Sequence, residues 1–177
     1  MLIPIHELPP GGARFRLADQ AMWLSPISAF GMECAVSSPL EASVTVIPAE
    51  SGCLVRGRLT GAVVMPCNRC AEDAPVPLKV DFEEFEPFPA KARENGEESR
   101  ILLRDGVFLL DMGALCWEEF LLALPPAPLC RSGCKGICPA CGTNLNNGVC
   151  SCARGEADPR LAALRGLKIC SSILLER

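Results

Sequence analysis

The sequence predicts an α+β fold: an antiparallel β-sheet or partial barrel, a packed central helix, and a C-terminal cysteine-rich tail ending in a short helix. Three observations predict it. Apolar and polar residues alternate over several stretches between residues 40 and 82. One helical apolar stripe follows and is stopped by Pro125-Pro126. Eight of the twelve cysteines fall in close pairs, and six of those eight lie after residue 129. A chain of 177 residues is long enough for one domain with a small appendage, so we place a body at 1–129 and a tail at 130–177. With 49% apolar and 21% charged residues, the composition is that of a globular protein.

Taken in order, Leu40 to Ile47 (LEASVTVI) predicts a strand. Val55, Leu59, Val63 and Met65 share one face of a longer strand starting near Leu54, with Arg56, Arg58 and Thr60 on the other. Val76, Leu78, Val80 and Phe82 alternate in the next, which puts the Cys67–Cys70 segment at the tip of a hairpin. Asp81 to Glu98 holds seven acids against two bases and closes on KARENGEE, which predicts a solvated excursion or mobile loop. Arg104-Asp105-Gly106 splits two short apolar runs and marks a turn. Asp111 is then placed to cap a helix reaching about Leu124. Its stripe of Met112, Leu115, Cys116, Phe120, Ala123 and Leu124 faces a core, widened by Trp117 and Leu121. Asp158-Pro159 starts the last helix, with Leu161, Leu164 and Leu167 along one face.

Two shortages exclude whole classes of enzyme. His6, near the start, is the only histidine and tyrosine is absent, so mechanisms needing a histidine base embedded in the fold, or a metal held by paired histidines and a carboxylate, are nearly excluded. No catalytic residue and no small-molecule substrate are expected. The first residues, MLIPIHELPPGG, lack an export signal, and the longest strongly apolar stretch, Phe120 to Leu129, is far short of the ~20 residues a membrane span needs. The expected location is therefore cytoplasmic, with no membrane partner. Thiols stay reduced there, and clustered ones imply a metal.

The pairs are Cys67/Cys70 and Cys138/Cys141 (CxxC), Cys130/Cys134 (CxxxC) and Cys150/Cys152 (CxC). Structural zinc takes four tetrahedral ligands, and a CxxC turn aims backbone N–H groups at its sulfurs. Four pairs therefore make two zinc sites. Of three possible pairings, the sequence-local one joins Cys138 and Cys141 to Cys150 and Cys152 across a loop with a turn at Asn146-Asn147-Gly148. Cys67 and Cys70 then join Cys130 and Cys134, stapling tail to body. Gly142 suits the positive-φ position that closes such a knuckle. Cys34, Cys53, Cys116 and Cys170 are unpaired and read as small packing residues.

Two rivals start from the same residues. A thiol-disulfide oxidoreductase would use Cys67 and Cys70, but such dithiols sit at a helix N-terminus, and Pro75 and Pro77 follow here. A zinc-ribbon nucleic-acid module would use the charge of the tail. From Cys130 onward, Arg131, Lys135, Arg154, Arg160, Arg165, Lys168 and Arg177 outweigh Glu156, Asp158 and Glu176, a net +4 that leaves −8 for the rest. A tetrathiolate zinc site carries about −2 and cuts that excess, so tight direct RNA binding is not implied by composition.

Four segments resemble the bacterial YceD family of large ribosomal RNA subunit accumulation proteins. They are VMPCNRC (Val64 to Cys70), LLDMGALCWEEFLLALPPAPLC (Leu109 to Cys130), CKGICPACGTNLNNGVCSC (Cys134 to Cys152) and DPRLAALRGLK (Asp158 to Lys168). The resemblance spans roughly residues 54–168 in order. It implies a non-enzymatic factor needed for accumulation of 23S ribosomal RNA, acting in its processing or in large-subunit assembly. The implied partners are ribosome assembly or rRNA-processing components, precursor 23S rRNA among them. The resemblance also implies a two-site form, because some family members lack counterparts of Cys138 to Cys152. Those members keep the CxxC matching Cys67 and Cys70, with donors near the positions of Cys130 and Cys134.

Overall fold

The computed structural model describes residues 1–90, 94 and 98–152. In chain order the elements are β1 (Leu2–Pro4), a 3-10 turn (Ile5–Glu7), β2 (Ala13–Leu17), α1 (Ala21–Ala29), β3 (Ala35–Ala49), β4 (Gly52–Pro66), β5 (Asp73–Pro87), β6 (Ile101–Arg104), β7 (Val107–Asp111) and α2 (Met112–Ala123). The chain divides into two compact units, Met1–Cys134 and from Lys135 onward. All of these elements belong to the first unit.

Where the sequence predicts one antiparallel sheet or partial barrel, the described residues form two antiparallel sheets. One has the order β2-β3-β4-β5, the other β1-β7-β6. The second sheet escapes prediction because β1 pairs with β7, Leu2 opposite Asp111, a partner that local alternation cannot reveal.

Strand β3 begins at Ala35, five residues before the predicted Leu40, because Ser38-Pro39 interrupts the alternation. The register slips there, between Val36 and Ser38 and again between Ser38 and Glu41. Gln20 repairs the break: its Nε2 donates to Leu40 O at 2.9 Å, and Leu40 N donates to its Oε1 at 3.0 Å. Gly61 faces the bulge at φ +144, where a Cβ would lie 2.7 Å from Leu40 Cδ2 and 2.8 Å from Pro39 O.

The acidic segment from Asp81 needs correction. Asp81 to Pro87 is no excursion but the second half of β5, paired throughout with β4. Cross-strand arginines stand opposite the outward acids. Arg56 Nε donates to Glu83 at 2.6 Å and Arg58 Nε to Asp81 at 2.5 Å, so the outward acids are neutralised in the sheet. Glu84 and Glu86 turn inward, and Glu86 is 1% exposed. Residues 91–93 and 95–97 lie outside the described ones. Pro75 and Pro77 sit on β5, an edge strand, where a missing N–H costs little.

Asp105 and Gly106 both take positive φ (49° and 79°), the type I′ geometry that joins β6 to β7. Asp111 caps α2 as expected, its Oδ1 accepting from the amides of Gly113 (3.0 Å) and Ala114 (3.1 Å). Helix α2 buries Met112, Leu115, Cys116, Glu119 and Phe120. Trp117 is half-buried, stacked on Phe120 and Phe30 with centroids 5.2 and 6.1 Å apart. Leu121, one turn further along that edge, is 40% exposed and does not widen the stripe.

One core forms from the inner face of the four-stranded sheet (Leu40, Ala42, Val44, Val46, Val55, Leu59, Val63) together with α2, β1 and Trp23 of α1. Trp23 is fully buried and packs on Phe120 with ring centroids 5.9 Å apart. Cys34, Cys53 and Cys116 are buried within this core, as their unpaired spacing suggests. Cys170 and the helix predicted from Asp158 lie outside the described residues. No helix among the described residues is long and apolar enough to cross a membrane.

Candidate metal centre

The β4–β5 hairpin ends in Cys67-Asn68-Arg69-Cys70, and the backbone folds tightly around the first sulfur. Ala71 N donates to Cys67 O at 2.9 Å and Cys67 N to Glu72 O at 2.8 Å. Ala71 closes the knuckle in the left-handed region, φ 60. The segment after α2 is bound to the hairpin tip by Asn68 N donating to Pro128 O and Arg69 Nη1 donating to Cys134 O, both at 2.8 Å. These contacts bring Cys130 and Cys134 against the knuckle. Cys67, Cys70, Ala74 and Cys134 are buried together, with Leu129 and Cys130 packed over them.

In the second unit the same construction recurs. Gly142 N donates to Cys138 O at 2.9 Å, Cys138 N to Thr143 O at 2.8 Å, and Gly142 takes φ 73. Each knuckle is thus a six-residue unit, CNRCAE and CPACGT, whose fifth residue is left-handed. A ribbon across Ile137 and Asn144 carries the return, tied by Leu145 N to Gly136 O (2.9 Å) and Lys135 N to Asn146 Oδ1 (2.8 Å). Asn144 O accepts from the amides of Asn147 and Gly148, which forms the turn expected at that place.

The eight paired cysteines therefore gather in two groups. Cys67, Cys70, Cys130 and Cys134 form one, Cys138, Cys141, Cys150 and Cys152 the other, with the sulfurs of each group within 4.8 Å of one another. Cys67 and Cys134 Sγ are 3.8 Å apart, Cys70 and Cys130 Sγ 3.6 Å. Zinc–sulfur bonds of ~2.3 Å give a tetrahedron with edges of ~3.8 Å, so the donor set fits a four-coordinate metal ion in size and chemistry.

The thiols in each group share protons unevenly. Backbone amides of Cys130, Arg69 and Cys70 aimed at the Cys67 sulfur pull its pKa down to about 6. Cys70 receives the Glu72 amide, but desolvation and the neighbouring sulfurs outweigh it and push its pKa to about 12. Burial holds Cys130 up as well. Cys141 falls to about 6 through the Thr143 hydroxyl, 3.2 Å away, and the Thr143 amide. Beside it Cys152 rises to about 12, with the Cys141 sulfur as the first cause. Packed thiolates repel, so a group of four cannot ionise by itself; a divalent cation at its centre reverses that at every sulfur.

Among the described residues, Cys34, Cys53 and Cys116 belong to neither group. Burial, helped by Glu86, pushes Cys53 to about 12, and burial with Glu119 does the same to Cys116. Ala71, which closes the first knuckle, and Arg69 and Thr143, which donate to the Cys67 and Cys141 sulfurs, were not marked by the cysteine spacing. The repeat of CNRCAE in CPACGT is the signal that would have found them.

Fold and sulfur groups together define a class: an α+β protein with two candidate tetrathiolate metal centres. The chain belongs to the YceD family, described as large ribosomal RNA subunit accumulation protein, which matches residues 55–168 and so contains both groups. It is 27% identical to an uncharacterized protein of Mycobacterium leprae, ML1660, over 67% of this chain and 56% of that one. It is 26% identical to the Arabidopsis thaliana protein named large ribosomal RNA subunit accumulation protein YCED homolog 1, chloroplastic, over 74% of this chain and 49% of that one. To the uncharacterized YlbN of Bacillus subtilis it is 23% identical over 92% of each. The chain thus spans about half the length of the Mycobacterium leprae and Arabidopsis relatives. No solved structure matches it.

Proposed function

We propose that this chain is a non-enzymatic, zinc-stabilised factor that supports accumulation of 23S ribosomal RNA, acting in rRNA processing or in assembly of the large subunit in the cytoplasm. The observation that carries the reading is the match to a family described by large ribosomal RNA accumulation, over the very region that contains both sulfur groups. Cys67, Cys70, Cys130 and Cys134 would hold one zinc ion; Cys138, Cys141, Cys150 and Cys152 would hold the other. Zinc supplies structure in such a site, because four thiolates leave no coordination position for a reacting water. In the second unit its share of the folding free energy is large. Ile137 is 49% and Val149 98% exposed, so the described residues of that unit bury little apolar area. Structural zinc contributes roughly 10–16 kcal/mol of apparent binding energy in small modules.

The dithiol-oxidoreductase reading finds less support. Cys67 and Cys70 are 3% and 5% exposed, and strand β5 follows them rather than a helix. The test is made in cells. Depletion of the chain should lower the ratio of 23S to 16S rRNA, and re-expression of the parent sequence should restore it while Cys67→Ser should not. An unchanged ratio on depletion overturns the proposal.

A further inference from the structure

The outer face of the four-stranded sheet is not explained by the metal centres. Register places its side chains in rows. Arg14, Thr45, Arg56 and Glu83 lie side by side, then Arg16, Ser43, Arg58 and Asp81, then Glu41, Thr60 and Lys79. Residues 1–129 contain ten Lys or Arg, and five of them stand in these three rows, against three of the eighteen acids. An otherwise strongly acidic body thus has one positive face.

From this face we infer that the sheet binds a single-stranded segment of RNA, through its phosphates and ribose hydroxyls. The inference rests on the ribosomal reading above and deepens it by naming the contact.

Stability does not account for the arrangement. Exposed ion pairs contribute a median of only ~0–1 kcal/mol, so these rows are not needed to hold the sheet together. Their pairs nevertheless fix the guanidiniums. Arg16 is clamped on Glu41 by Nε at 2.6 Å and Nη2 at 2.7 Å, and Arg58 on Asp81 at 2.5 and 2.9 Å. A guanidinium has five N–H donors, and each clamp uses two, so the outward donors can still meet a phosphate oxygen. Arg16 is 71% exposed and Arg56 and Arg58 each 55%. Arg14 stands at the edge of its row beside Thr45, and Lys79 lies near Asp81 on the same face. Ser43 and Thr45 put hydroxyls between arginines, and Thr60 puts one beside Lys79, where a ribose can hydrogen-bond. Phe85, 48% exposed on the edge strand opposite Leu54, ends the rows with a ring on which a base can stack.

A protein partner fits less well. Protein interfaces bury an apolar centre and deplete charge there, whereas here the centre is charged and hydroxylated and the apolar row of Ile47, Leu54 and Phe85 lies at one end. Nucleic-acid interfaces are polar and positive.

The test uses the full zinc-loaded chain and a fluorescent 20-nucleotide RNA without secondary structure, titrated at several salt concentrations. Arg14→Ser with Arg56→Ser removes two cations of one row; Arg104→Ser, on the other sheet, is the control. The parent and the control should bind alike, and the double variant at least tenfold more weakly. Its log–log salt slope should be shallower by about 1.4, from ~0.7 per phosphate contact. Equal binding by double variant and parent, with equal unfolding midpoints, overturns the inference. So does tighter binding of an acidic polypeptide than of RNA, which would make the face a protein-docking surface. If depletion lowers 23S rRNA but the double variant restores it fully, the ribosomal reading stands and the RNA face falls.

Discussion

Ala71 occupies a backbone region that an L-residue enters at a cost of roughly 1–2 kcal/mol, and its counterpart in the second knuckle is Gly142. Ala71→Gly should therefore stabilise the zinc-loaded first unit by ~0.5–1 kcal/mol after the added freedom of the unfolded glycine is subtracted; urea unfolding measures it. Glu119 makes a second case. Burial, with the Glu84 carboxylate next to it, raises its pKa to about 7, while Arg100 opposes the shift. Between the ordinary carboxylate value of ~4.3 and 7 the native chain binds the extra proton, so this contribution is full below that window and lost as pH rises through 7. Glu119→Gln should match or trail the parent at pH 5 and exceed it at pH 8, in denaturation midpoints read at both pH values. An equal difference at the two pH values refutes the assignment. Cysteine spacing was legible in the sequence because metal chemistry demands it locally. Glu86 and Glu119 were not, because acids read as surface until the fold supplies a partner.

The partner of Glu86 is Arg100, and the contact joins three elements. Arg100, just before β6, reaches Glu86 of β5 and Glu118 of α2, with Glu84 at 3.3 Å. Its amide also donates to Glu86 Oε2 at 3.1 Å. Arg100→Met keeps the length and removes the charge, leaving Glu86 buried without its counter-charge. The expected loss is ~3–5 kcal/mol, seen as a lower thermal midpoint, and Glu86→Gln in the same chain should recover part of it. Strands β4 and β5, the β6–β7 turn and the cap at Asp111 were readable because alternation, turn residues and capping act over a few positions. Helix α1 was not, since Pro26 inside it hides the pattern, although Asp19 Oδ1 accepts from Ala21 N at 3.0 Å at its start. The second half of β5 was misread for the same reason as Glu86: its acids are balanced by Arg56, Arg58 and Arg100, distant in sequence.

At the level of the molecule, the two sulfur groups lie in different units, and their loss should be separable. Metal analysis should return two zinc ions per chain for the parent and one each for Cys67→Ser and Cys150→Ser. In limited proteolysis, Cys67→Ser should open the segment from Leu124 to Cys134, and Cys150→Ser only the loop beyond Lys135. Identical fragment patterns would contradict the division into two sites. Strand β1 has its own consequence. It pairs with β7, so the sheet of β1, β7 and β6 cannot close until residue 111 is in place. On a translating ribosome, Ile3 must wait through more than a hundred codons before its side chain finds shelter, which leaves this strand open to chaperones in the meantime.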